Sequence, residues 1–156
     1  MDITQELGSF GVTDTSFLHT ADIQWENTHG LGLYAAYLGN FVSNNRSDTL
    51  ETVIPKSYYN WGFLVQGGYL INPKWEIFAR YDLTKFDDEV MDEGSTDFSE
   101  VTLGVNWFVG GGHNAKFTVD ATWLPNGAPS GATGLGILES SEDNEFLVRA
   151  QFQLML

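Results

Sequence analysis

Charged side chains recur at alternating positions in this sequence, where they share one face of several segments with threonine, asparagine and glutamine. Seven are acidic and three are basic: Asp22, Glu26, Glu76, Asp82, Glu100, Asp120, Glu145, Arg80, Lys116 and Arg149. A row of carboxylates attracts cations, whereas a row of cations attracts anions. Because a guanidinium fork matches the oxygens of phosphate, Arg80 and Arg149 are the best candidates for a contact with an anion.

The two arginines have a second interpretation, in which they form ion pairs across neighbouring strands. Directly opposed side chains in a sheet lie about 5 Å apart, which suits a guanidinium and a carboxylate. The candidate partners are Glu76, Asp82, Glu100 and Glu145. We favour ion pairing over anion binding for Arg80 and Arg149, and we expect Lys116, beside a predicted turn, to be solvated.

The sequence contains no catalytic, metal-binding or cofactor-binding motif. His19, His29 and His113 lie far apart and cysteine is absent, so transition-metal ligand spacing does not occur. The glycine-rich stretches 110–112 and 131–136 lack the lysine and the following helix of a phosphate-binding loop. We therefore expect no enzyme activity, no metal and no cofactor.

The charged faces belong to seven segments in which apolar and polar side chains alternate. Because successive side chains of a strand point to opposite sides of a sheet, each segment is a predicted β-strand with one apolar and one polar face. The predicted strands span residues 17–26, 31–42, 60–71, 75–85, 97–109, 116–124 and 145–156. Short connections at 27–30, 72–74 and 110–115 alternate with longer ones at 43–58, 86–96 and 125–144.

Strands of this length, joined alternately by short and long connections, are typical of an outer-membrane β-barrel. No run of about 18 apolar residues indicates a transmembrane helix. We predict an all-β fold, a transmembrane antiparallel up-and-down β-barrel, as a single domain over residues 1–156. The net charge of −14 argues against binding to nucleic acid through its phosphates.

The tryptophans support a membrane location, because an indole is apolar with one polar group and suits the lipid–water interface. All five lie on predicted apolar faces, mostly within two residues of a strand end: Trp25, Trp61, Trp75, Trp107 and Trp123. The alternative is a small soluble or periplasmic β-barrel that turns these faces inward and binds an apolar ligand. Its cavity would hold Trp61, Phe63, Trp107 and Trp123.

The number of predicted strands is odd, whereas bacterial single-chain barrels have even numbers. The N-terminus lacks the basic and apolar regions of a signal peptide. We therefore expect a fragment, the C-terminal portion of a larger barrel, in which residues 1–16 end an extracellular loop. We expect an open curved sheet rather than an eight-strand closure that uses residues 3–12.

Along these strands the sequence resembles the C-terminal half of the phosphate-selective porin O and P family. The resemblance covers most of residues 17–156, and its most specific part is GVNWFVGGGHNAKF followed by a terminal RAQFQ strand. The full matching stretches are FLHTADIQWE, GLYAAYLGNF, NWGFLVQGGYLINPKWEIFARYD, EVTLGVNWFVGGGHNAKFTVDATWLPNGAP and EFLVRAQFQLML. The last two contain the specific pieces just named.

The resemblance implies a homotrimeric porin in the outer membrane of a Gram-negative bacterium, with sixteen strands in each barrel. It also implies passive diffusion of small solutes or ions, including phosphate-type anions, through a water-filled channel. The C-terminal strand would act as an assembly signal; such strands usually end in phenylalanine, and this one ends in Leu156. The basic pore-lining residues of the family's first half have no counterparts in this sequence.

The acidic segment from Asp87 to Asp97 has two interpretations in such a protein. Carboxylate oxygens suit hard cations, which could bridge this loop to lipopolysaccharide. However, Glu89, Glu93 and Gly94 do not reproduce the ligand spacing of a calcium loop. We favour a solvated loop.

Overall fold

The computed structural model describes residues 13–45, 57–88, 96–111, 114–127 and 143–155. These residues form one antiparallel sheet of seven strands, in which each strand pairs with its neighbours in sequence. The strands are β1 (Thr13–Glu26), β2 (Leu31–Asn45), β3 (Ser57–Asn72), β4 (Trp75–Lys85), β5 (Asp97–Phe108), β6 (Ala115–Leu124) and β7 (Glu145–Leu154). Among the described residues, no helix is long and apolar enough to span a membrane.

All seven predicted strands are confirmed, but the first three extend further than predicted. Thr13 pairs with Asn45 at the far end of the β1–β2 ladder, so residues 13–16 belong to a strand rather than to a loop. The extensions of β1 and β2 contain only polar residues, which is why the alternation of the sequence did not mark them. The rest of the expected loop, and the candidate eighth strand at residues 3–12, lie outside the described residues.

The short turns are fixed by asparagine side chains and one glycine. Asn27 Oδ1 accepts hydrogen bonds from the backbone N–H groups of His29 and Leu31, each at 2.9 Å. Gly30 has a φ of 89°, which a side chain would disfavour. Its carbonyl accepts a 2.8 Å hydrogen bond from Leu70 N, which ties this turn to β3.

The two faces of the sheet have opposite polarity. We call the inner face the one that carries the even-numbered residues of β1–β6 and the odd-numbered residues of β7; the outer face carries the others. Aliphatic side chains of the outer face, such as Ile23, Leu103 and Val148, are exposed. The buried polar residues all lie on the inner face: Thr102, Asn106, Thr118, Asp120 and Thr122. A water-soluble sheet has the reverse arrangement, with its apolar face buried.

The sheet is curved rather than flat. Glu26 of β1 and Lys116 of β6 line one cavity of about 280 Å³, although five strand spacings separate them in the sheet order. In a flat sheet those spacings would amount to about 24 Å. Within the described residues β1 and β7 do not pair with each other, so the sheet is curved and open, as expected.

Candidate functional site

The inner face brings together all the charged residues that the sequence predicted to share a polar surface. The strand register places nine candidates there, together with Glu145: Asp22, Glu26, Glu76, Arg80, Asp82, Glu100, Lys116, Asp120 and Arg149. Because the sheet is antiparallel and its pairs are in regular register, their side chains form rows that cross neighbouring strands.

Arg80 is held by two carboxylates of the inner face. Its Nε lies 2.6 Å from Asp82 Oδ2, and its Nη2 lies 3.2 Å from Glu100 Oε1 on the neighbouring strand. All three side chains are half-buried. The expectation of cross-strand pairing is confirmed for Arg80, and its guanidinium is already occupied by anionic partners.

Arg149 also forms an ion pair, with a partner that the sequence did not predict. Its Nη2 and Nε lie 3.0 and 3.2 Å from Asp120 Oδ2. The two residues oppose each other in the β6–β7 ladder, whereas the expected partner Glu145 opposes Leu124 at the strand end. Only 1% of the Asp120 side chain is exposed, so this carboxylate depends on the arginine for its compensation.

Neutral side chains add further hydrogen bonds between neighbouring strands over β4–β6. Thr118 Oγ1 donates to Asn106 Oδ1 at 2.6 Å, and Asn106 Nδ2 donates to Glu76 Oε2 at 2.7 Å. The hydroxyls of Thr102 and Thr122 share a 2.8 Å hydrogen bond in a fully buried position. The sequence signal for these hydrogen bonds is the recurrence of threonine and asparagine at alternate positions of two successive strands.

The predicted interface aromatics lie on the outer face. Their exposed fractions are 50% for Trp25, 44% for Trp75, 39% for Trp107 and 40% for Trp123. Trp61 is half-buried because it lies deeper within β3 and stacks against Tyr37 and Phe63. Within the part of the chain that the structure describes, the five tryptophans therefore do not converge on a central apolar core.

A polar cluster on the outer face was not predicted. Tyr59 Oη hydrogen-bonds to the hydroxyl of Tyr37 and, at 3.0 Å, to His19 Nε2. The cluster forms over Gly39, where a Cβ atom would collide with both Tyr59 Oη and His19 Nε2. Only the register of three strands reveals this contact, since these residues are distant in sequence.

The acidic segment after β4 has a structural role at its start. Asp87 Oδ2 accepts a 2.9 Å hydrogen bond from Tyr59 N, and Asp87 N donates to Asn60 Oδ1 at 2.9 Å. This carboxylate therefore secures the start of β3 rather than lying free in solvent. The acidic residues further along this segment, Glu89, Asp92 and Glu93, fall outside the described residues. Within the described residues, no group of side chains could hold a metal ion.

Comparisons with known proteins give no assignment for this chain. A scan against protein-family models found no match. A search of curated proteins found none. A search of solved structures likewise found none.

Proposed function

We propose that this chain forms part of the wall of an outer-membrane porin, through which small solutes cross by passive diffusion. The observation that carries the proposal is the inverted polarity of the sheet. Exposed aliphatic and aromatic residues cover the outer face, whereas the two paired arginines, their carboxylate partners and the buried threonine hydroxyls lie on the inner face, which also carries aliphatic side chains. Lipid outside and water inside would satisfy both faces at once.

The dimensions of the strands fit a bilayer. The shortest strands, β6 and β7, have 10 residues each. At about 3.4 Å per residue and a tilt of about 40°, ten residues span about 25 Å, the height of the apolar band of such barrels. Trp75 and Trp107 lie at the short-turn end of their strands and Trp123 at the long-loop end, as expected for two interfacial belts.

The directions of the edge strands favour a larger barrel. Because neighbouring strands are antiparallel and there are seven of them, β1 and β7 run in the same direction. An antiparallel barrel therefore needs an odd number of further strands between these two edges. Nine would complete the sixteen strands that the family resemblance implies, and the trimeric state stays a prediction from that resemblance.

The inner face favours cations and neutral solutes over phosphate. Both of its arginines are paired with carboxylates. Among the described inner-face residues, Lys116 is the one basic side chain without such a pair. Selective transport of phosphate-type anions would therefore depend on basic residues elsewhere in the barrel.

The competing function is a soluble barrel that binds an apolar ligand in its interior. It requires Trp61, Phe63, Trp107 and Trp123 to surround one cavity. They lie on the outer face, and Trp107 and Trp123 are exposed there. Their positions support the porin proposal over this alternative.

Lipid quenching of tryptophan fluorescence tests the proposal. The protein in its natural full length is refolded into vesicles whose acyl chains carry bromine, a contact quencher. We expect strong quenching of the five tryptophans, weak quenching by aqueous iodide, and channel conductance in planar bilayers. A chain that is folded and monodisperse in plain buffer, and whose fluorescence brominated lipid leaves unchanged, would overturn the proposal.

A further inference from the structure

The inner face contains a small cavity at the short-turn end of the sheet. Its volume is about 280 Å³, and side chains or backbone from β1 to β6 line it. The lining residues on which the argument depends are Glu26, Gly32, Leu70, Glu76, Phe108 and Lys116. The three charged residues of this lining, Glu26, Glu76 and Lys116, form no ion pair with one another in the part of the chain that the structure describes. The charged residues near the middle of the sheet do form ion pairs.

Each of the two glutamates lies close to a glycine of a neighbouring strand. Gly32 and Gly68 are opposed residues of β2 and β3. A Cβ atom at Gly32 would lie 3.7 Å from Glu26 Cγ, and one at Gly68 would collide with Glu76 Oε1. Because Gly68 has no side chain, the Glu76 carboxylate can lie against the backbone of β3 at the edge of the cavity.

Each carboxylate accepts one hydrogen bond from a neighbouring amide side chain. Gln24 Nε2 donates to Glu26 Oε1 at 2.8 Å, and Asn106 Nδ2 donates to Glu76 Oε2 at 2.7 Å. The second oxygen of each glutamate has no hydrogen-bond partner among the described residues and is available to the cavity. The hydrogen bond to buried Asn106 orders the half-buried Glu76, which lowers the ordering cost of binding a cation there, whereas Glu26 is exposed.

The rest of the cavity supplies one cation and an apolar wall. Lys116, the second residue of β6, is half-buried and has no ion pair among the described residues. Phe108 is buried and Leu70 is half-buried beside it. The site therefore offers two anions, one cation and a hydrophobic surface.

We propose that this cavity binds a basic amino acid, a solute with two cationic groups and one carboxylate. The α-carboxylate contacts Lys116, the α-amino group and the side-chain cation each contact one glutamate, and the methylene chain lies against Phe108 and Leu70. The proposal deepens the porin function and rests on it, because it makes the cavity a selective site at the short-turn mouth of the channel. A phosphate ion would meet two carboxylates for one lysine, which disfavours it.

Calorimetric titration of the protein in its natural full length, in detergent micelles, tests this site. We expect L-lysine to bind more tightly than putrescine, which lacks the carboxylate, and both to bind more tightly than L-glutamate. Glu26→Gln and Glu76→Gln should each weaken L-lysine binding about tenfold, as expected for loss of a charge-assisted hydrogen bond. Lys116→Gln should weaken L-lysine binding by a similar factor but should not weaken putrescine binding.

The matched control is Asp88→Asn, which removes the same charge from an exposed residue at the opposite end of β4 and should leave the affinity unchanged. If Glu26→Gln, Glu76→Gln and Asp88→Asn all bind L-lysine as the wild type does, or if L-glutamate binds as tightly as L-lysine, the site is refuted. If a glutamate variant fails to fold, the different response of Lys116→Gln to L-lysine and putrescine still decides. Channel conductance is recorded separately, so a conducting protein that does not bind lysine refutes only this inference.

Discussion

The inner face of β4–β7 differs from the inner face of β1–β3 on the same sheet. Across β4–β7, ion pairs and hydrogen bonds join neighbouring strands, and Thr102 has no exposed surface. On β1–β3, Leu18 and Leu38 are 65% and 50% exposed, and no ion pair occurs among the side chains described there. Ion pairs between strands therefore occur on the inner face of β4–β7, whereas the described inner face of β1–β3 carries exposed aliphatic side chains and unpaired carboxylates.

The difference shows how side-chain size controls the packing of a polar face. Gly104 has no side chain, so the ring of Phe78 lies across it toward Asp120. This close packing removes water from the carboxylate, which then requires Arg149 as its partner. On β1–β3 no comparable packing covers Asp22, and its side chain is solvated.

Arg149→Met should give the largest difference in stability between the two regions, because it leaves the Asp120 carboxylate buried without a cation. We expect the free energy of unfolding to fall by about 3 kcal/mol. Asp22→Asn on β1 should change it by less than about 0.5 kcal/mol. Urea unfolding in micelles, followed by circular dichroism, measures both. Equal losses would show that the two regions do not differ in this way. Adding Asp120→Asn to Arg149→Met should restore part of the lost free energy of unfolding.

Glycine substitutions test the packing difference directly. In Gly104→Ala the new Cβ would lie 2.9 Å from Asp120 Cβ and would collide with the Phe78 ring. We expect a loss of about 2 kcal/mol from overpacking. Gly32→Ala on β2 meets only Glu26 Cγ, at 3.7 Å, and should be within about 0.5 kcal/mol of the wild type in the same unfolding experiment. A neutral Gly104→Ala would contradict the packing argument.

Hydroxyl removal should give a smaller contrast. Thr102→Val leaves the buried hydroxyl of Thr122 without its partner and should cost about 1 kcal/mol. Thr20→Val on β1 removes a hydrogen bond to Tyr37 O from an exposed position, where water replaces it, and should cost less than about 0.5 kcal/mol. Thermal unfolding in micelles ranks the two variants, and the reverse ranking would refute the distinction.

The smallest expected effect is on ion selectivity, which compares the two regions in terms of transport rather than stability. Arg80→Gln exposes two unpaired carboxylates, so we expect the cation-to-anion permeability ratio to rise about twofold. Asp22→Asn removes a solvated carboxylate and should lower that ratio by less. Reversal potentials across a salt gradient measure both. A wild-type channel with strong anion preference would show that residues outside this inner face control selectivity.

The sequence predicted the strands of β4–β7 closely, because apolar and polar residues alternate there up to well-marked turns. It also predicted which face each charged residue occupies. It did not identify Asp120 as the partner of Arg149, because alternation assigns a face but leaves the register free to slip by two residues. The β6–β7 register that opposes these residues emerged only from the structure.

The cluster of His19, Tyr37 and Tyr59 escaped prediction for a related reason. Each residue alone reads as part of an apolar face, and only Gly39, between β1 and β3, lets the rings meet. The cavity between Glu26 and Glu76 depends likewise on the curvature of the sheet, which the sequence pattern does not encode. The periodicity of a sequence therefore does not predict contacts among residues on three or more strands.

The stacking of Trp75 on Trp107 has a spectroscopic consequence. The two residues are opposed in the β4–β5 ladder, and their ring centroids lie 6.1 Å apart with an angle of 20° between the planes. Electronic transitions of indoles this close couple, so the folded sheet should carry an exciton couplet that an unfolded chain lacks. That optical signal would report the alignment of a single pair of strands without any added label.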